Sequence, residues 1–253
     1  MGIIIKSERE IAIMRQAGRI VAIVLGILVS AVRPGMKTKE LDIIAAREVE
    51  RLGAKPSFKG NRGFPASLCV SVNDEIVHGI PGERVLGEGD IVSIDFGAIY
   101  MGFQGDAAVT VGVGKVSQRT QDLMKATKGA LTAGTAAARH GARLGDISAA
   151  IQNYAESKGF SVVREYTGHG IGRDMHEDPL IPNFGVPGTG PLLKKGMTLA
   201  LEPMVTTGDW RTKVDDDAWT VLTADGSLSA HFEHTIAITD GEPEVLTAIS
   251  ERV

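Results

Sequence analysis

Four short stretches of this sequence are built like β-strands, and each carries one carboxylate among small or polar neighbours. They are Asp95 in IVSIDFGAIY, Asp106 in GFQGDAAV, Glu202 in TLALEPM and Glu233 in SAHFEHTIAI. Asp is a poor strand former, and a carboxylate taken out of water is costly unless something pairs with it. Cations shared among the four would account for all of them at once. The nitrogen donors on offer are histidines set among glycines, where the backbone turns sharply and leaves a ring accessible. They are His169 and, seven residues on, His176 in EYTGHGIGRDMHEDP, and His78 in NDEIVHGIPG. This spacing is neither the HExxH of a zinc-binding helix nor a GxGxxG phosphate loop. His140 and His234 read as local hydrogen-bonding groups, and His231 stays undecided because it shares a strand face with Glu233.

Four carboxylates and one imidazole supply about four negative charges, which balances two divalent cations. Oxygen-rich ligation with one nitrogen suits Mn2+, Fe2+, Co2+ or Zn2+ in a paired site, not structural zinc, which takes Cys and His. Two such ions ~3.5–4 Å apart lower the pKa of a water between them and clamp a substrate oxygen. The chemistry implied is hydrolysis.

Strands must bring these groups to one side, and alternation does so. Val92, Ile94 and Phe96 oppose Ser93, Asp95 and Gly97; Ala107, Val109 and Val111 oppose Asp106, Ala108 and Thr110. Leu199, Leu201 and Val205 oppose Thr198, Ala200 and Glu202. In SAHFEHTIAI, read as one strand, Phe232, Ile236 and Ile238 oppose His231, Glu233 and Thr235. A four-residue loop from Ile99 to Gly102 is expected to pair Ala98 with Phe103, which sets Asp106 directly across from Asp95. Like charges so placed repel unless a cation lies between them.

Helices supply the cover. SERE (Ser7 to Glu10) is a capping box, followed by Ile11, Met14, Gly18 and Val21 at helical spacing. GMKTKELDIIAAREVERLG (Gly35 to Gly53) lines up with GARLGDISAAIQNYAESKG (Gly141 to Gly159), and GDIVSID (Gly89 to Asp95) with GMTLALE (Gly196 to Glu202). Each half then reads as a long helix, a second helix closed by Gly, and strands. The expectation is a single α+β domain over 1–253, with an internal pseudo-repeat of halves at about 7–112 and 117–240.

Composition bounds the rest. At 253 residues, 43% hydrophobic and 23% charged, the chain is ordinary globular protein. A net charge of −4 gives no basic field for nucleic acid. Cys69 is the only cysteine, so no internal disulfide forms, as suits a reducing cytoplasm; inside SLCVSV it reads as a small apolar residue, not a nucleophile. The apolar run from Ile20 to Val32 falls short of the ~20 residues that span a bilayer. Arg15 and Arg19 precede it as in a signal peptide, but the capping box and the acidic Glu8 and Glu10 make it the buried part of a core helix. No membrane association is expected.

Five of these motifs, NDEIVHGIPG, SIDFGAIYMGFQGDAAV, GHGIGRDMHEDP, TLALEPM and SAHFEHT, together resemble the type I methionine aminopeptidases, in order and over nearly the whole chain. The resemblance implies the pita-bread fold, a pseudo-twofold pair of α+β halves with a central curved antiparallel sheet flanked by helices and the site in its concavity. It implies that Asp95 chelates one metal ion and His169 with Glu202 the other, while Asp106 and Glu233 bridge both. Glu202 would also assist proton transfer, His78 would contact the scissile amide nitrogen, and His176 would polarise the carbonyl. A methionine pocket falls on Phe64, Cys69, Met175 and Trp219 with His78 at its edge; Asn73 and Ser229 fall where some relatives bind a monovalent cation, Na+ or K+, through carbonyls. Asn61 and Phe64 stand where many bacterial relatives have two tyrosines, which alters the pocket's shape and leaves the metal site untouched.

The activity implied is removal of the N-terminal methionine from nascent proteins and peptides when the second residue is small. A monomer working in the cytoplasm in transient contact with the ribosome goes with it. The alternatives are a proline-directed aminopeptidase or prolidase of the same fold, which usually carries an extra N-terminal domain, and a non-catalytic peptide-binding module, which typically loses metal ligands.

Overall fold

The computed structural model describes residues 2–248. Helix α1 (Glu8–Ala31) starts where the sequence says it should: Ser7 Oγ accepts from the Glu10 amide and the Glu10 carboxylate accepts from the Ser7 amide. Its buried residues, from Met14 through Val21 and Val24 to Leu28, lie on strands Ile91–Tyr100 and Phe103–Gly112. At the crossing a Cβ on Gly105 would stand 2.8 Å from the Gly18 nitrogen, so Gly105 must be glycine for the helix to approach; a Cβ on Gly18 would instead meet the Leu246 carbonyl at 2.2 Å. By length and hydropathy α1 would pass for a membrane span, yet half of its apolar window is buried inside the protein. It is a core helix.

Helices α2 (Thr38–Arg51) and α4 (Leu144–Ser157) have 14 residues each and are capped alike. Glu40 accepts from the Lys37 amide at 2.8 Å, and Asp146 from the Arg143 amide at 2.7 Å. Gly53 and Gly159 close them at φ of +74° and +78°. Helix α3 (Gln118–Ala137) packs along α4. Two apolar cores result. One joins Val24, Leu28, Leu41 and Val49 to Val92, Ile94 and Phe96; the other joins Leu123, Ile147 and Ile151 to Leu199, Leu201, Phe232, Ile236 and Ile238. The strand faces read from the sequence as apolar are the ones that carry these cores.

The named strand pairs are all antiparallel. Ile91–Tyr100 lies between Cys69–Val72 and Phe103–Gly112, and Thr198–Leu201 lies between Thr167–Gly170 and His234–Ala237. The two groups meet along a seam. Ala108 and Glu233 exchange backbone hydrogen bonds of 2.9 and 3.4 Å. To one side, Thr235 Oγ1 bonds both the amide and the carbonyl of Asp106; to the other, Thr110 Oγ1 bonds both the amide and the carbonyl of His231. Four neighbouring segments thus carry Asp95, Asp106, Glu233 and Glu202 in that spatial order.

Two sequence expectations are corrected. Tyr100 pairs with Phe103, so Asp106 stands opposite Gly97 and Asp95 opposite Ala108, diagonal neighbours on one face and not a directly opposed pair. The cause is a two-residue turn in which Met101 (φ +48°) and Gly102 (φ +79°) are both left-handed, the twist that suits a tight hairpin. And SAHFEHTIAI is two strands, Ser229–His231 and His234–Ala237, just as Pro203, with no amide to donate, interrupts Thr198–Leu201 before Met204–Thr206. The register survives both interruptions: Leu201 pairs with His234 and Met204 with His231, which carries Glu202 opposite Glu233.

Candidate metal centre

The carboxylate face opens into a cavity of about 280 Å³. Asp95, Asp106, His169, Glu202 and Glu233 all line it. Ligand atoms of Asp106, His169 and Glu233, each 4% exposed or less, lie within 4.8 Å of one another. His169 Nε2 is 3.5 Å from Glu202 Oε1, about the separation of two ligands each ~2.1 Å from one ion.

The ring orientation of His169 is fixed from behind. Its Nδ1 is 2.9 Å from the Gly170 carbonyl, which can only accept, so Nδ1 carries the proton and Nε2 turns its lone pair to the carboxylates. Against this, Asp95 Oδ1, Asp106 Oδ1 and Glu233 Oε1 are buried with no hydrogen-bond partner. Buried acceptors without donors are costly, and three in one place fit a bound cation.

The electrostatics agree. Burial pushes Asp95 up to about 7. Burial, with neighbouring carboxylates adding to it, holds Asp106, Glu202 and Glu233 well above the ordinary range. Burial pushes His169 down to about 3 and His78 down to about 4, with His176 adding to both. Such a site favours protons or metal ions on its carboxylates and uncharged imidazoles. Burial and those same carboxylates also hold the Cys69 thiol well above its usual value, so it is no nucleophile.

His78 and His176 line the cavity too, and the His176 ring lies 4.4 Å from that of His169. His78 sits at φ +60°, an uncommon backbone for a non-glycine residue. His176 is carried by a loop tied down from outside. Buried Lys6 pairs with Glu177, whose carboxylate also accepts from the Arg173 amide at 2.9 Å. On the apolar wall, Phe64 and Trp219 meet edge to face at 5.2 Å, with Cys69 packed beside Phe64. Met175 belongs to an apolar cluster against which the cavity-lining Phe58 packs, and a Cβ on Gly97 would meet its Cε and the Phe58 ring both at 3.0 Å. The Ser229 amide donates to the Asn73 carbonyl at 2.8 Å, which brings that pair together. His140 and His234 make local bonds, to the Lys195 amide and to Thr247.

Phe58 and Tyr166 also line the cavity; Phe58 stands in no patterned segment, and Tyr166, though inside EYTGHGIGRDMHEDP, carries no metal-ligand type to mark it. His231, left undecided there, is 1% exposed and has its Nε2 3.8 Å from Glu202 Oε2.

Comparison with known proteins agrees with this geometry. The sequence profile of metallopeptidase family M24 matches residues 12–240. A methionine aminopeptidase of Clostridium perfringens is 54% identical over 247 residues, covering 98% of this chain and 99% of that protein. The crystal structure of a methionine aminopeptidase from Thermotoga maritima superposes with a TM-score of 0.97 at 48% identity, covering 98% of this chain and 100% of that one. A prolidase from Pyrococcus furiosus shares the fold, with a TM-score of 0.80 at 21% identity; this chain spans 66% of its length.

Proposed function

The chain belongs to metallopeptidase family M24, and we propose from that premise that it is a two-ion aminopeptidase which removes N-terminal methionine when the second residue is small. The observation that carries the reading is one cavity lined by four carboxylates, three of them with a buried oxygen that has no hydrogen-bond partner, and by an imidazole whose lone pair is turned toward them.

Asp95, Asp106, His169, Glu202 and Glu233 would hold the ions, with Asp106 and Glu233 as the carboxylates the two would share. The donor set suits Mn2+, Fe2+, Co2+ or Zn2+. When bound, such ions acidify a water and polarise the carbonyl to be attacked. Glu202 takes the proton of the attacking water as its oxygen bonds to the carbonyl carbon. It then returns that proton to the departing amine as the C–N bond breaks. His176, whose burial and neighbouring Arg62 lower its pKa, is neutral and offers an N–H to the developing oxyanion. His78 meets the scissile nitrogen. Phe64, Cys69 and Trp219 receive the methionine side chain by aromatic and sulfur contacts.

To this reading belong a Na+ or K+ ion at the Asn73 and Ser229 carbonyls, and nascent chains as substrates in the cytoplasm. A monomer in transient contact with the ribosome completes it. Its test compares Met-Ala-Ser with Ala-Pro and Gly-Pro on one metal-loaded preparation. Cleavage of Met-Ala-Ser alone is expected, with loss of kcat by ~1,000-fold or more in Asp106→Asn. Preference for the proline peptides would make it a prolidase, and inertness with no bound metal a binding module.

A further inference from the structure

His231 has no role in the reading above, yet it is placed to have one. Its ring is 1% exposed, and neither ring nitrogen has a hydrogen-bond partner. Its backbone is pinned at both polar atoms: Thr110 Oγ1 donates to the His231 carbonyl and accepts from its amide, each at 2.8 Å. The fold therefore sets the position of this residue whatever its ring contacts. The ring stands beside Glu202, whose two oxygens are divided between two imidazoles: Oε1 lies 3.5 Å from His169 Nε2, and Oε2 lies 3.8 Å from His231 Nε2.

We propose that His231 is a positioning residue: its Nε2–H donates to Glu202 Oε2 and so leaves Oε1 as the oxygen that shares an ion with His169. The proposal rests on the two-ion reading of the cavity. An uncharged imidazole has one N–H and one lone pair, so with the proton on Nε2 the ring faces the carboxylate as a donor. The 3.8 Å separation is too long for a hydrogen bond, and a modest rotation of the Glu202 side chain brings it to ~2.7–2.9 Å. Hydrogen bonds in such sites are commonly long until ligands are in place. A hydrogen bond to one carboxylate oxygen biases the ion toward the other and holds the plane of the group, which also sets the direction in which Glu202 takes and returns its proton. Partners of this kind, one shell behind a metal ligand, typically hold 10- to 100-fold in metal affinity or activity.

The test uses the full chain and two readouts, Mn2+ affinity by calorimetry and steady-state kinetics on Met-Ala-Ser. His231→Leu is expected to bind Mn2+ about 10- to 100-fold more weakly and to lose kcat to a similar degree, with KM little changed. His231→Gln, whose amide N–H has similar reach, restores most of both; His231→Asn, too short, does not. Stripped of metal, His231→Leu should melt no lower than the parent, since it removes a buried group without a partner. Parental Mn2+ affinity in His231→Leu, or failure of His231→Gln to rescue, overturns the proposal, as does a lowered melting temperature of the metal-free Leu variant. Weakened Mn2+ binding in a protein that cleaves no methionine peptide would leave this positioning role standing and sink the substrate assignment instead.

Discussion

The helix pair around α2 and the one around α4 are closely alike, and the strands they cover are not. Both second helices run 14 residues, are capped by an acid bonding back to a preceding amide, and end at a left-handed glycine. Beneath the first pair lies an unbroken hairpin of two ten-residue strands with Asp95 and Asp106 in mid-strand. Beneath the second, Glu202 and Glu233 sit where the strands are interrupted, facing each other across the break. One scaffold thus serves an asymmetric site. An aspartate reaches the cavity from a strand that faces it directly. A glutamate, one methylene longer, reaches the same place from a point where its own strand pair is interrupted. Matching reach, and not only charge, is what the two regions have settled.

The sharpest way to break that comparison is to exchange the lengths and keep the charges. Asp95→Glu and Glu202→Asp each shift a ligand oxygen by about one bond, and a misplacement near 1 Å can cost ~100-fold in rate. A fall in kcat of at least that size is expected for both, with the folded proteins otherwise intact by circular dichroism. Parental kcat in either variant would mean that the interruptions at Glu202 and Glu233 have nothing to do with reach.

The seam between the regions is reciprocal, and it predicts a smaller effect. Thr110, from the first region, holds the backbone of His231; Thr235, from the second, holds the backbone of Asp106. Both hydroxyls are buried, so valine at either position leaves an amide and a carbonyl short of a partner. Denaturant unfolding should show each variant less stable by about 1–3 kcal/mol. Thr235→Val should in addition weaken Mn2+ binding, because the backbone it releases carries Asp106. Full stability in both would reduce the seam to packing alone.

Much of this was legible in the sequence. Alternation told which faces of the four strands were apolar, and Ser7 with Glu10 marked the start of α1. What could not be read was backbone that residue type does not dictate. Nothing in the name methionine announces φ +48° at Met101, and that one residue moved the register by which Asp95 meets Asp106. Pro203 breaks a strand that alternation alone carries from Thr198 to Val205, and the matching break at Phe232 and Glu233 has no local signal. His231 shared a face with Glu233 in sequence, but only the fold put it beside Glu202.

The two regions contribute the cavity's charge jointly. Without metal, Asp95 titrates at about 7 instead of 3.8, so its protonated form favours the fold; that contribution is complete below pH ~4 and is lost as pH rises through 7. Asp106, Glu202 and Glu233 are raised as well and act in the same sense. His78, His169 and His231 act oppositely. Lowered to between about 3 and about 4 from 6.5, they contribute stability above pH 6.5 that is lost as pH falls toward those values. Above pH 6.5 the imidazoles are neutral whether folded or not, and only the carboxylates still change the balance. The metal-free protein should therefore become less stable from pH 6.5 to 8. Ions that neutralise the carboxylates remove that slope. At a fixed concentration 100-fold above the Kd at pH 7 they should raise the melting temperature by roughly 5–10 °C near pH 7, and by a few degrees more at pH 8, where protons compete less. Calorimetry of chelated and Mn2+-loaded protein at pH 6.5, 7.25 and 8 measures the gap. A gap that stays constant would mean that the carboxylates of the two regions do not burden one another when the metal is gone, and that Asp95 is not held protonated by its surroundings.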